Sequence, residues 1–210
     1  MFTVSTFGAG GDAALRLGGW ANLRAGYSTF SLSQDFDDSN THLTYTGKLE
    51  LKAGRAMLDI YPFASGFHIS PGVVFANRSR VTLTSALTGG QKVTIDGVEY
   101  TSAAANPLRA TGSVSLQQVK PAVVIGWGNL VPAFRRAAFV FEAGAVFGDP
   151  PTTTLTFTGL ACNASGANCR DAATDATLQA GIRNEEARLA KNLKVLKYYP
   201  IVTFGLGFRF

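Results

Sequence analysis

Alternation of large apolar residues with small or polar ones is the dominant pattern along this chain, and it is plainest at the C-terminal end. Val202, Phe204, Leu206, Phe208 and Phe210 fall on one face of an extended strand, and Thr203, Gly205, Gly207 and Arg209 fall on the other. The same period of two sets Leu23, Ala25 and Tyr27 against Asn22, Arg24 and Gly26, and Phe139, Phe141, Ala143, Ala145 and Phe147 against Val140, Glu142 and Gly144. It also sets Phe67, Ile69, Val73, Phe75, Val81 and Leu83 against His68, Ser70, Gly72, Arg78, Arg80 and Thr82. Leu43, Tyr45, Leu49 and Leu51 begin a further strand, but its apolar parity moves to Ala56, Leu58 and Ile60, which predicts a bulge near Gly54.

Turn-forming clusters at Gly18–Gly19, Asp35–Asn40, Tyr61–Gly66, Gly89–Gly90, Gly128–Arg136 and Asp149–Pro151 divide these runs. The strands expected between them are 2–17, 20–33, 43–60, 67–84, 110–127, 137–148, 152–160 and 199–210. That is an even number, as single-chain membrane barrels have. Within the long connection 85–109, residues 91–101 predict a small extramembrane hairpin turning on Asp96–Gly97. Residues 174–197 break the period of two: Leu178, Ile182, Leu189, Leu193 and Leu196 recur near helical spacing, with Arg183, Glu185, Arg188, Lys191, Lys194 and Lys197 between them. An amphipathic helix is therefore expected before the last strand. It would pack over a barrel mouth, lie on anionic headgroups, or dock a partner.

Composition decides what the strands build. Hydrophobic residues make up 46% and charged residues only 16% of the chain, so something apolar must cover much of its surface. No uninterrupted apolar run reaches the roughly 18 residues of a membrane-spanning helix. The best candidate, Pro121–Phe134, is broken by Gly126, Gly128, Asn129 and Pro132. In hydrocarbon every backbone polar group must find a partner, and without helices only a closed sheet provides that. The expected fold is all-β: a closed antiparallel transmembrane β-barrel of about eight strands, in a single domain spanning 1–210. Met1 leads into Phe2-Thr3-Val4 without a basic region or cleavage site, so the chain reads as a mature form lacking its leader. The net charge of +5 is scattered between apolar positions, which argues against nucleic acid as a partner. Cys162 and Cys169 are expected to form a disulfide in an oxidising compartment; their Gly/Ser/Asn/Ala surroundings offer too few ligands for a metal. No cofactor is implied.

The segments Val4–Gly10, Asn22–Tyr27, Leu58–Phe63, Thr94–Thr101, Pro121–Asn129 and Tyr198–Phe210 together resemble a group of small bacterial outer-membrane proteins of unknown function, similar in architecture to the OmpA and OmpW barrels. The resemblance covers nearly the whole length. It implies an outer-membrane location, lipid and lipopolysaccharide as surroundings, and the barrel assembly machinery as a partner, but no agreed activity and no catalytic residue. The terminal strand Val202, Phe204, Leu206, Phe208 and Phe210 resembles the C-terminal signal by which such barrels are recognised for insertion. The 174–197 helix departs from the group in being basic where an acidic one is expected, so its protein partner, if any, is unassigned.

Asp12, Arg16, Arg24, Arg55, Asp59, Arg78, Arg80 and Glu142 fall at or near inward parity, and buried charges must pair. Arg24, Arg78, Arg80, Glu142 and His68 are the expected lumen cluster, with Glu142 as its anchor. An eight-stranded interior is just wide enough for side chains to fill, so the expected role is structural, scaffold or surface interaction. The alternative is a narrow channel or conduit for small, hydrophobic molecules. A remote alternative is a lipid-modifying hydrolase: His68 and Ser70 share a strand face as a base and nucleophile would, and resemble the His-x-Ser of lipid A deacylase barrels. The protein is expected to extract only with detergent and to migrate differently on a gel when boiled and unboiled; a monomer soluble without detergent would refute the barrel.

Overall fold

In the computed structural model, residues 1–208 are described apart from 39–42, 64, 76, 117–118, 130 and 132–136. The chain runs β1 (Phe2–Ser5), β2 (Gly8–Arg16), β3 (Ala21–Asp38), β4 (Leu43–Ile60), β5 (Phe67–Phe75), β6 (Arg80–Ala86), β7 (Lys92–Ile95), β8 (Val98–Ser102), β9 (Arg109–Ser115), β10 (Lys120–Trp127), β11 (Ala137–Phe147), β12 (Thr152–Thr158), β13 (Leu160–Cys162), β14 (Arg170–Asp171), α1 (Ala176–Asn192) and β15 (Tyr198–Phe208). A 3-10 turn, Leu193–Lys197, joins α1 to β15. The strands β4-β3-β2-β1-β15-β11-β10-β5 pair antiparallel in that order, and β5 returns to β4, closing an eight-stranded barrel. The one helix before the last strand stands as expected.

Alternation sorts the barrel's side chains. Leu23, Ile69, Ile125, Phe139, Phe141, Phe204 and Leu206 all face outward and are exposed. Trp20, Phe63, Trp127 and Phe208 ring the outer surface at one end, and Tyr27, Phe75, Phe147 and Tyr198 at the other. A band of exposed apolar residues between two aromatic girdles is the surface that hydrocarbon and its two interfaces require. The connections differ sharply between the ends. At the Trp127 end they are 17–20, 61–66 and 128–136; at the Tyr27 end they are the short Thr6–Phe7 turn, the β3–β4 connection 39–42, and the long connections 76–119 and 148–197.

Those two long connections build a second layer beyond the barrel. Above the rim, β4 exchanges β5 for β6 (Tyr45↔Ser85 to Glu50↔Arg80), and β9 and β12 extend the same sheet. A separate sheet, β14-β13-β8-β7, stands beside it, and its β7–β8 hairpin turns on Asp96–Gly97, both with positive φ. Leu178 and Ile182 of α1 close a core with Leu87, Ile95, Leu108, Phe157 and Ala161. Glu186 accepts the Leu155 N–H at 3.2 Å, so the helix also satisfies the otherwise open edge of β12. Of the three expected positions for the helix, packing over the mouth is corrected: α1 packs on β12 and the β7 hairpin. Its apolar stripe fits the module's own core.

The strand ranges need correction although the count of eight holds. Residues 2–17 are two barrel strands, because the chain reverses at Thr6–Phe7, where Ser5 Oγ accepts the Phe7 N–H at 3.2 Å. Residues 152–160 leave the barrel for the module. The ranges 67–84 and 110–127 each break at the rim, one half in the barrel and one outside. There is no bulge at Gly54, for β3 and β4 stay in register from Ala21↔Ile60 to Asp38↔Leu43. The parity shift is a change of environment. Outward positions turn polar above Gly54 (Lys52, Glu50, Lys48) and inward ones turn apolar (Leu51, Leu49).

Asp175 caps α1 by accepting the Thr177 and Leu178 N–H groups at 3.0 Å each. The Leu178 N–H, aided by Arg170 and the Thr177 N–H, holds this carboxyl below its usual range. The folded-state value is the lower one, so the cap contributes fully above the unfolded value of about 3.9 and is lost as pH falls through the depressed value. Amide protection of α1 should therefore be flat from about pH 8 to 5 and decline below about pH 4. In Asp175→Asn, which still caps, that decline should vanish; identical acid profiles for the two proteins would refute the assignment.

Candidate functional site

Inside the barrel the lumen is built in two layers. Nearer the short connections, Arg24 of β3 donates through Nη2 to Asp59 Oδ1 at 2.8 Å and to Glu142 Oε1. Asp59 belongs to the neighbouring strand β4, whereas Glu142 lies on β11, four strands away on the opposite wall. Ser70 donates to Asp59 Oδ1 at 2.7 Å, and His68 Nε2 meets Glu142 Oε1 at 3.2 Å. A second pair shares the layer: Arg55 Nε donates to Asp12 Oδ1 at 2.7 Å, and its Nη2 donates to Thr3 Oγ1 at 3.1 Å. Arg24, Asp59, His68 and Glu142 are all at most 2% exposed.

Small residues make the room. A Cβ on Gly26 would fall 1.8 Å from Asp12 Oδ1, and one on Gly126 would fall 2.6 Å from His68 Nε2. These inward glycines are filled by neighbouring charged side chains, not by open space. His68 faces acceptors on both nitrogens, since Nδ1 meets the Gly66 carbonyl at 3.3 Å. Arg24 and Arg55 meet the carboxylates of Asp59, Glu142 and Asp12 in this layer.

Toward the other end, Phe7, Met57, Val74, Ala122, Val124, Val146 and Ile201 pack into an apolar layer across the lumen. Phe7, delivered by the β1–β2 turn, stacks on Tyr199 with ring centroids 5.0 Å apart. The cavity left between the layers has a volume of about 10 Å³. One water needs roughly 10–15 Å³, so this cavity has room for about one water.

The chain matches crystal structures of Acinetobacter baumannii CarO, with a TM-score of 0.59, 19% identity and coverage of 100% of this chain and 95% of that one. CarO2 from the same organism gives a TM-score of 0.59, 20% identity and coverage of 100% and 96%. The likeness is one of fold. It bears out the expected resemblance to eight-stranded barrels of the OmpA type. No family model and no curated protein matches the sequence.

The structure brings together Arg24, His68 and Glu142 of the expected cluster and adds Asp59, Ser70, Asp12 and Arg55. Arg78 and Arg80 require correction: they lie outside the lumen, because the strand breaks after Phe75 and β6 pairs with the outward-facing rung of β4, Arg80 opposite Glu50. Asp59 and Arg55 carried an inward parity in the sequence, but nothing local shows which charges meet across the barrel. The hydrolase geometry is absent, for Ser70 gives its hydroxyl to Asp59 and not to His68, and both side chains are sealed. Asp59, His68 and Glu142 also place ligand-type atoms within 4.8 Å of one another, but Arg24 already holds both carboxylates. Val202, Phe204, Leu206 and Phe208 form the outward face of β15, and Phe210 lies outside the described residues. Cys162, buried on β13 of the outer module, is bonded to Cys169.

Truncating one partner of a buried ion pair leaves its counter-charge stranded, at a cost of about 3–5 kcal/mol. Glu142→Ala should lose that much unfolding stability in detergent, measured by the urea midpoint of heat-modifiable mobility. Gly126→Ala should lose stability too, by pushing His68 off Glu142. Unchanged midpoints in both would mean that the cluster is not what holds the lumen.

Proposed function

We propose that this chain is a bacterial outer-membrane barrel with a closed lumen, and that it serves as an anchor presenting the β/α module of residues 76–119 and 148–197 at the cell surface. The observation that carries this reading is the two-layer lumen, with a charge cluster below and an apolar layer above, and about 10 Å³ between them. A conducting pore needs a continuous wet path. Barrels of this class place short turns in the periplasm and long connections outside, which supports an outward-facing module here. The outward apolar face of β15 supports assembly through the usual barrel machinery. Nothing in the sealed Ser70–His68 arrangement favours catalysis.

A second reading, a conduit for small hydrophobic molecules, draws on one observation. Phe30, Leu32, Phe36, Val81 and Leu83 are exposed above the rim, so an apolar sheet face stands uncovered beside the mouth. Such a route would have to leave the axis before the plug.

Planar-bilayer recording separates the two. The native protein should show no conductance above baseline at an insertion level confirmed by antibody or mass. Phe7→Ala combined with Glu142→Ala, which opens both layers, should add brief openings. Large, steady conductance from the native protein would overturn the closed-lumen reading.

A further inference from the structure

A cationic pocket lies on the outside of the barrel, at the rim carrying the long connections. Its floor is marked by Tyr27, which stands beside Gly54 and Phe75 in the last apolar rung of the outward face. The next outward rungs along β4 are Lys52 and then Glu50. One rung is two residues, or about 7 Å of strand. The headgroup layer on each side of the hydrocarbon is about 5–8 Å thick. Lys52 therefore stands at headgroup depth, with Arg78 and Arg80 around a cavity of about 810 Å³.

Three features make this a site and not a scatter of surface charge. The backbone beneath it is pinned: Arg78 N–H donates to the Lys52 carbonyl at 2.8 Å, Ser79 N–H to Asn77 Oδ1 at 3.0 Å, and Leu116 N–H to the Ser79 carbonyl at 3.1 Å. Asn77 and Ser79 are buried, so the arginines project from a fixed frame. The one carboxylate, Glu50, is shared by Lys48 at 3.5 Å and Lys52 at 3.8 Å. Among the described residues neither Arg78 nor Arg80 has an ion-pair partner. Guanidiniums with free forks, at headgroup depth and in excess over carboxylate, match the doubly charged oxygens of a phosphate monoester.

We propose that Lys52, Arg78 and Arg80 bind the phosphate of a phosphorylated glycolipid in the outer leaflet, fixing one lipid against the β4–β6 junction. This rests on the outward sidedness of the module given above. The site also accounts for two arginines that inward parity assigned to the lumen: they lie where the outward face passes from acyl chain to headgroup.

The test uses the full chain in nanodiscs doped with lipid A or with its dephosphorylated form, with retained lipid counted by native mass spectrometry. The native protein should retain lipid A at least tenfold more than the dephosphorylated form. Lys52→Gln/Arg78→Gln/Arg80→Gln should abolish that preference, while the charge-matched Lys191→Gln/Lys194→Gln/Lys197→Gln should keep it. Heat-modifiable mobility reports folding. If the pocket triple variant fails that check, Arg80→Gln alone should reduce the preference about threefold. Equal retention of both lipids by the native protein, or an undiminished preference in the pocket variants, overturns the proposal. Inorganic phosphate that binds alone and displaces lipid A at equal concentration also overturns it, by showing a free-phosphate site. An epitope inserted at Asp96–Gly97 should be reached by antibody on intact cells; if it is not, sidedness fails separately from the pocket chemistry.

Discussion

Arg24 bridges two carboxylates from opposite walls of the barrel, and the remainder of the lumen is arranged around that contact. Asp59 comes from the adjacent strand and Glu142 from four strands away, so the guanidinium ties the cylinder across its diameter. A charge in a nearly dry interior cannot be left alone. The supporting groups follow from that need: Ser70 donates to Asp59, His68 to Glu142, and Gly26 and Gly126 leave space for Asp12 and His68. The arrangement is not fully satisfied, since Arg24 Nε and Nη1 and Asp59 Oδ2 have no protein partner. A buried ion pair with such unmet groups adds little net stability over an apolar core, whereas removing one partner strands the other charge.

The apolar layer above works differently. Phe7 reaches it because the chain turns at Thr6–Phe7, which also divides the first alternating segment into two strands. The turn thus supplies both an extra staple for closure and an aromatic ring to the apolar layer. Tyr199 reinforces it by donating to the Thr6 carbonyl at 3.0 Å.

The outer module depends on the barrel's rim. β3 and β4 continue as one hairpin beyond the membrane boundary, and the faces of that hairpin exchange character there. Below the boundary the outward face meets lipid and the inward face meets charge. Above it, the outward face carries Lys48, Glu50 and Lys52, and the inward face carries Phe30, Leu32, Leu49 and Leu51. This exchange creates both the cationic pocket and the apolar sheet face, a sheet that β6, β9 and β12 extend edge to edge, with α1 packed on β12.

Alternation, composition and the missing long apolar helix determined by themselves that this chain is a closed barrel, with Arg24, His68 and Glu142 facing inward and α1 before the last strand. Those are local properties: the side-chain period is two whatever the strand pairs with, and hydrocarbon admits no open edge. Only the tertiary structure decided which strands close the barrel. The alternation in 67–84 and in 152–160 reads the same whether a strand borders lipid or the module. Only the tertiary structure placed Asp59 opposite Glu142 and carried Arg78 and Arg80 to the outer rim. Parity says which face a residue occupies, but not how far along the barrel it sits or what stands across from it, because both are set by register and closure between strands distant in sequence.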